Sequence, residues 1–303
     1  MTVLVTGAAG FIGSRVVRSL LESNQQVAAM VLPGDRTHRL ADIAGKIQIV
    51  EADLRDGESI ARHLDHLRPE ACIHLAWYVE PGKYLDSREN LVCLQSGLML
   101  LEELARTGCR HLVGVGTCFE YDIGPTPLRE DSPTKPATLY AACKLALYLV
   151  AAKRATQLGV GFAWARLFYL FGPYEDQRRL IPAAIKALLA GREFDTTPGD
   201  QVRDYMHVDD VASGISSLSL NRLDGPFNVC SGDPVTIAGL MQMLGDLMGR
   251  PELIRVGGFP YREWDPKYVS GDSRRLQTEA HWAPRQSLRD GLAETIEWWK
   301  GAQ

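Results

Sequence analysis

The chain has 303 residues, 46% of them hydrophobic and 23% charged, with a formal net charge of -4. That balance excludes a disordered or fibrous chain, and the lack of any block of like charges excludes a nucleic-acid or membrane-surface footprint. No apolar run reaches bilayer length, and the six scattered cysteines (Cys72, Cys93, Cys109, Cys118, Cys143, Cys230) form no C-x-x-C pair, so reduced thiols and no metal site are expected.

The chain enters at once a strand-like TVLVT (2–6), so a cytoplasmic rather than secreted protein is expected. Directly after it comes GAAGFIG, with Gly7, Gly10 and Gly13 in G-x-x-G-x-x-G spacing around Phe11 and Ile12. A glycine turn between a strand and a helix lets the backbone approach a pyrophosphate, whose charge then meets a helix N-terminus. GSRVVRSLLES has helical spacing, and QVAAMV (26–31) reads as the second strand. An acid that would hold a ribose 2′-hydroxyl is missing from its end, where MVLPGDR places Val31 and Leu32. With no carboxylate to repel a 2′-phosphate, and Arg36 or Arg39 to pair with one, NADP(H) is favoured, and NAD(H) stays open. As solvated loop charges those arginines would carry no such meaning.

IQIV (47–50) is the third strand, and Asp53 with Leu54 follows it as a candidate adenine contact. ACIHLA (71–76) is the fourth, and its HLAW end brings Leu75, Ala76 and Trp77 to a nicotinamide pocket; His74 reads as a structural strand-end histidine. In WYVEPGKYLDSREN, Trp77 and Tyr84 are candidates to wall a sugar and Lys83 to meet a phosphate. After the helical GLMLLEELARTG, the fifth strand HLVGVG (111–116) runs into GTCFEY, and a sixth, GVGFAWARLF, follows the helix that opens TLYAACK. Near-continuously apolar strands alternating with helices predict an α/β fold, a doubly wound parallel sheet of Rossmann type over 1–172. Beyond FGP the pattern loosens, and 173–303 is expected to be a smaller α/β substrate lobe whose chain is free to cross back to the sheet.

Thr117 lies at a strand's C-terminal end, Tyr140 follows, and Lys144 is one helical turn beyond on the same face. Hydride transfer at a carbinol carbon needs a matched proton transfer at its oxygen. A tyrosine can supply that if a nearby ammonium lowers its pKa, while the Thr117 hydroxyl holds the oxygen. Singly these are ordinary strand and helix residues; downstream of a phosphate loop they make a candidate catalytic triad.

The motifs GAAGFIG, DLRD, HLAW, Thr117/Tyr140/Lys144, RLFYLFGP, VRDYMHVDDVA and the closing D-x-x-R…W-x-P pattern span the chain. Together they resemble the extended short-chain dehydrogenase/reductases of the NAD-dependent epimerase/dehydratase group, which modify nucleotide-linked sugars. The resemblance implies that Arg203 and Arg262 clamp the nucleotide diphosphate, and Tyr169, where many relatives have Asn, implies a sugar or base pocket unlike that of the commonest epimerases; Thr138, two residues before Tyr140, is a further candidate sugar contact. It also implies a homodimer built on the GLMLLEELAR helix and the helix beginning at Tyr140. Where dehydratases place carboxylates after the catalytic Thr, this chain has Cys118 and Phe119, so 4,6-dehydration is not expected; Glu120, one position on, should point elsewhere. The 77–90 loop and GTCFEYD are closest to CDP-abequose and CDP-paratose-type reductases. The leading expectation is therefore a 4-ketoreductase of a nucleotide-diphosphate 4-keto-6-deoxyhexose. A 4-epimerase with tightly bound NAD is the alternative, and a non-catalytic dinucleotide sensor the third.

Overall fold

The computed structural model describes residues 1–261 and 265–302. Six strands, β1 (Thr2–Thr6), β2 (Gln26–Val31), β3 (Gln48–Glu51), β4 (Ala71–His74), β5 (His111–Thr117) and β6 (Gly161–Leu167), alternate with helices in the first half. The helices are α1 (Phe11–Glu22), α2 (Gly57–Leu67), α3 (Glu89–Arg106) and α4 (Leu139–Leu158). Among the described residues, no helix is long and apolar enough to cross a membrane.

The two longest of these helices show how the sequence sets their ends. Thr138 accepts a hydrogen bond from the Ala141 amide and so caps the start of α4, and Gly159 closes it in the left-handed region at φ 70°. In α3 the small and apolar positions Gly97, Leu100, Leu101 and Leu104 make one buried stripe against the sheet.

The second half holds β7 (Tyr169–Phe171), β8 (Phe194–Thr196), β9 (Val202–Arg203), β10 (Tyr205–His207), β11 (Gly225–Val229), β12 (Val235–Thr236), β13 (Ile254–Val256) and β14 (Tyr268–Val269). Its helices are α5 (Leu180–Leu189), α6 (Val208–Leu220), α7 (Ile237–Met248), α8 (Arg274–Ala280) and α9 (Leu288–Gly301). The large sheet has the order β11-β6-β5-β4-β1-β2-β3 and is parallel throughout. The expected doubly wound sheet is thus present, with a seventh strand that the chain returns to supply: Phe227 of β11 pairs with Ala165 of β6.

Every residue of β5 is buried, which is why its sequence reads apolar without alternation. One face packs under α1 and α6 with Val16, Val211 and Phe227, and the other under α3 and α4 with Leu100, Leu147 and Trp164. A separate apolar cluster around Phe171, Ile185, Leu240 and Ile296 holds the second half together. The strand order reverses between β1 and β4, and the crevice beyond their C-terminal ends is where such sheets bind ligands. The chain leaves the sheet after His74, so Leu75 and Ala76 become crevice wall rather than the strand the sequence pattern suggests.

Candidate active site

A single cavity of about 1630 Å³ runs from the glycine loop to the second half of the chain. It exceeds the roughly 300–1,000 Å³ of a site for one small ligand, so two nucleotide-sized molecules fit. Gly7 sits at φ +66°, and a Cβ there would lie 2.8 Å from the Ala76 amide nitrogen. A Cβ on Gly13 would come within 2.1 Å of the Gly7 carbonyl oxygen. Only hydrogen fits at either place, so the turn stays tight and Gly10, Phe11, Ile12 and Gly13 bring the uncapped start of α1 to the cavity. That cradle suits a dinucleotide pyrophosphate.

Asp53, Leu54, Leu75, Ala76 and Trp77 line the same end, as the sequence predicts. Asp53 is held by Arg55 at 2.5 Å, which keeps its carboxyl below the usual range. Of the two arginines, the structure brings Arg39 to the cavity and leaves Arg36 exposed outside it. Arg39 donates to the carbonyls of Ala9 (3.2 Å) and Tyr174 (3.1 Å), while its Nε is buried without a partner. Arg36 lies in the exposed loop after β2, whereas Arg39 belongs to the 3-10 segment at 38–46.

Thr117, Tyr140 and Lys144 line the cavity together. Lys144 is 4% exposed; its Nζ donates to the Val115 carbonyl at 2.6 Å and lies 3.8 Å from the Trp77 ring centroid. Burial pulls the ammonium down to about 7, against which Glu120 and then Cys93 act in the opposite sense. Tyr140 is flanked edge-on by the rings of Tyr84 at 4.9 Å and Trp77 at 6.4 Å. Burial pushes its phenol above the ordinary value, and only the Thr117 hydroxyl draws it back appreciably. Lys144, which the sequence argument makes the group that lowers the tyrosine pKa, is held by Val115 and Trp77, and burial outweighs the influences that would lower Tyr140. His74 has Nδ1 2.8 Å from Thr6 Oγ1, and burial holds its imidazole neutral by lowering it to about 3. Its Nε2 has no partner, and the ring lines the cavity.

Beyond the triad, Phe119 and Tyr169 meet edge to face at 6.2 Å and form an aromatic wall, with Tyr84 also lining the cavity. Cys118 is absent from the lining: the chain turns into a 3-10 segment at Cys118–Glu120, which buries the thiol with Tyr121, Leu128 and Phe168 and pushes it up to about 12. Thr138 is spent capping α4 and lies outside the lining, and Lys83 is exposed in a turn outside it. Arg203 lines the cavity but is 2% exposed and paired with Asp265 at 2.7 Å. Arg262 lies outside the described residues. The sequence reading missed Arg179, which stacks over Tyr84 at 5.6 Å just ahead of α5. It also missed Glu175, whose carboxyl burial pushes to about 8 with one oxygen unpartnered. Their signal was the charged stretch YEDQRR between the FGP turn and the helix α5.

The family model described as NAD dependent epimerase/dehydratase family matches residues 3–230. The UDP-glucose 4-epimerase of Mycolicibacterium smegmatis is 31% identical, with 99% of each chain covered. A UDP-glucose 4-epimerase from Thermotoga maritima, solved with UDP-glucose, superposes with a TM-score of 0.88 at 25% identity, covering 100% of this chain and 99% of that one. A dTDP-glucose 4,6-dehydratase from Streptomyces venezuelae, solved with NAD bound, gives 0.88 at 28% identity, covering 99% and 97%.

Proposed function

The chain belongs to the NAD dependent epimerase/dehydratase family, and from that premise we propose that it is a nucleotide-sugar 4-epimerase working with a retained nicotinamide dinucleotide. The observation that carries this reading is the arrangement at the end of β5: the Tyr140 phenol and the buried Lys144 line the cavity beside Thr117, with no carboxylate at positions 118 and 119. Such a site can move one proton at C4, and the two positions after Thr117 offer no carboxylate to help eliminate water from C5 and C6. The relatives named 4-epimerase support the same reaction.

The residues that would hold the dinucleotide are the Gly7–Gly13 loop, Asp53, Leu54, Leu75, Ala76 and Lys144. When bound, its nicotinamide supplies the hydride acceptor and donor. Thr117 fixes the C4 oxygen. In the reducing direction Tyr140 is ready as it stands, giving its proton to that oxygen. In the oxidising direction the phenol must first be discharged, and a charged Lys144 one turn away favours the phenolate. A keto sugar that turns over between the two directions accepts hydride on its other face, which is epimerisation. Arg179 and Arg203 supply cationic groups for the diphosphate.

A second reading, an NADPH-dependent 4-ketoreductase of a nucleotide-diphosphate 4-keto-6-deoxyhexose, is favoured by Arg39. No carboxylate stands at Val31 or Leu32, and a 2′-phosphate would satisfy the buried Arg39 Nε. The apolar wall of Phe119 and Tyr169 also suits a C6 methyl. We further propose a homodimer. Leu91 and Met99 on α3 and Leu149 and Val150 on α4 are exposed apolar residues on two helices that pack against each other.

The test is cofactor retention and turnover together. Freshly purified protein should carry bound NAD and interconvert a UDP- or dTDP-hexose and its C4 epimer without added cofactor. Strict dependence on added NADPH with a 4-keto sugar, and none with 4-hydroxy sugars, would replace the first reading by the second.

A further inference from the structure

Behind the strand end that carries Thr117 lies a buried ion pair that the reaction itself does not use. Glu120 is 0% exposed. Its carboxylate accepts from the Thr117 amide (2.8 Å), from Trp164 Nε1 (3.1 Å) and from Arg166 Nε (2.8 Å). Burial raises this carboxyl, and Arg166, the Thr117 amide and Trp164 oppose that; because every partner is a donor and none an acceptor, a carboxylic proton would have no partner, and we read Glu120 as an anion. Arg166 is equally buried, its guanidinium over the Tyr121 ring at 4.4 Å.

The sequence makes room for this group at some expense. Gly114 and Gly116 present the same face of β5, and a Cβ on Gly116 would lie 2.2 Å from both Glu120 Oε1 and Trp164 Nε1. On Gly114 it would lie 2.4 Å from the Trp164 ring. Two glycines in a central strand weaken it. A buried ion pair is on average no more stabilising than apolar residues of the same volume. Neither choice is explained by stability alone.

We propose that Glu120, clamped by Arg166 and Trp164, is a positioning residue: it fixes Thr117 against Tyr140 and places the one fixed negative charge behind Lys144. Every group facing the lysine agrees with that role. Cys93 of α3 is a thiol raised by burial, His74 of β4 is a neutral imidazole, and Tyr140 of α4 is a protonated phenol. Among the described residues, Glu120 is therefore the anion that most opposes the effect of burial on Lys144. The inference rests on the reading of Thr117, Tyr140 and Lys144 as the reacting groups.

The test compares wild type with Glu120→Gln and with the double variant Glu120→Leu/Arg166→Met, which removes the pair without leaving a charge unmatched. NADH binding, read by fluorescence, reports that the fold and cofactor site survive. In protein carrying ¹³C-lysine, the resonance lost in Lys144→Met should titrate near neutral pH, and in the double variant at lower pH. Turnover of a UDP-hexose should fall about 10- to 100-fold in kcat through misplacement of Thr117, with KM little changed. An unmoved lysine titration together with unchanged kcat overturns the proposal and leaves Glu120 as packing. If wild type turns over no nucleotide sugar, the functional reading fails, while the lysine titration still decides the role of Glu120.

Discussion

Replacing Lys144 by methionine should abolish turnover and yet make the ligand-free protein more stable. In the folded chain burial lowers the ammonium from 10.5 to about 7, whereas the unfolded chain keeps the ordinary value. At about 1.4 kcal/mol per tenfold change in proton affinity, this corresponds to roughly 5 kcal/mol of lost stability at neutral pH. Methionine removes that cost but orphans the Val115 carbonyl, worth about 1–3 kcal/mol. Taking the larger penalty, a net gain of about 2 kcal/mol remains, or ~4 °C in Tm for a chain of this size. Between pH 7 and 10.5 the unfolded chain holds a proton the folded one has shed, so wild type gains stability as pH rises through that window. The advantage of Lys144→Met should be full below pH 7, vanish between about pH 8 and 10, where the lysine cost falls to that of the orphaned carbonyl, and reverse above. The assay is thermal melting of dinucleotide-free protein across that range, beside turnover at neutral pH. A variant that melts below wild type at pH 7, or whose difference ignores pH, would show that Lys144 is not a costly buried cation and would refute the argument.

Three further outcomes follow from the geometry. Gly13→Ala pushes a methyl against backbone of the Gly7 turn and should weaken dinucleotide binding by about 2–3 kcal/mol, some 30- to 150-fold in Kd; calorimetry showing unchanged affinity would deny the loop its role. His74 is neutral down to about pH 3 when folded but accepts a proton near 6.5 when unfolded, so stability should be lost as pH falls through that window, by ~2 kcal/mol at pH 5. Urea titrations at pH 7 and 5 should show a shallower loss in His74→Gln. Leu149→Glu with Val150→Glu places charge on the exposed apolar face of α4 and should convert a dimer to monomer in light scattering with helix content kept; an unchanged mass would remove that face from the interface.

Much of the fold could be read from local pattern because parallel strands buried on both faces leave long apolar runs. The spans of β1 and β2 coincide with TVLVT and QVAAMV. The glycine loop and triad were legible because the chemistry ties residue type to spacing. What was not legible depended on chain direction beyond an element's end. The outcome for Glu120 agrees with the sequence reading, but the cause is the 3-10 turn at 118–120 rather than strand alternation. That same turn buries Cys118. Likewise, two arginines three apart cannot be ranked from sequence when the second begins a turn back towards the loop, and Arg39 rather than Arg36 reaches the cavity. Thr138 looked like a sugar contact because it precedes Tyr140, yet the free amides of a helix start claim its hydroxyl first.

The late arrival of β11 bears on how the protein is made. Residues 168–224 intervene before the strand that pairs with β6 is available, and α6, which covers α1, lies within that span. On the ribosome the first six strands therefore emerge with one edge unpaired and one apolar face uncovered, the arrangement that invites pairing between chains. Stalling translation before residue 225 should yield an aggregation-prone nascent chain, whereas release after β11 closes that edge.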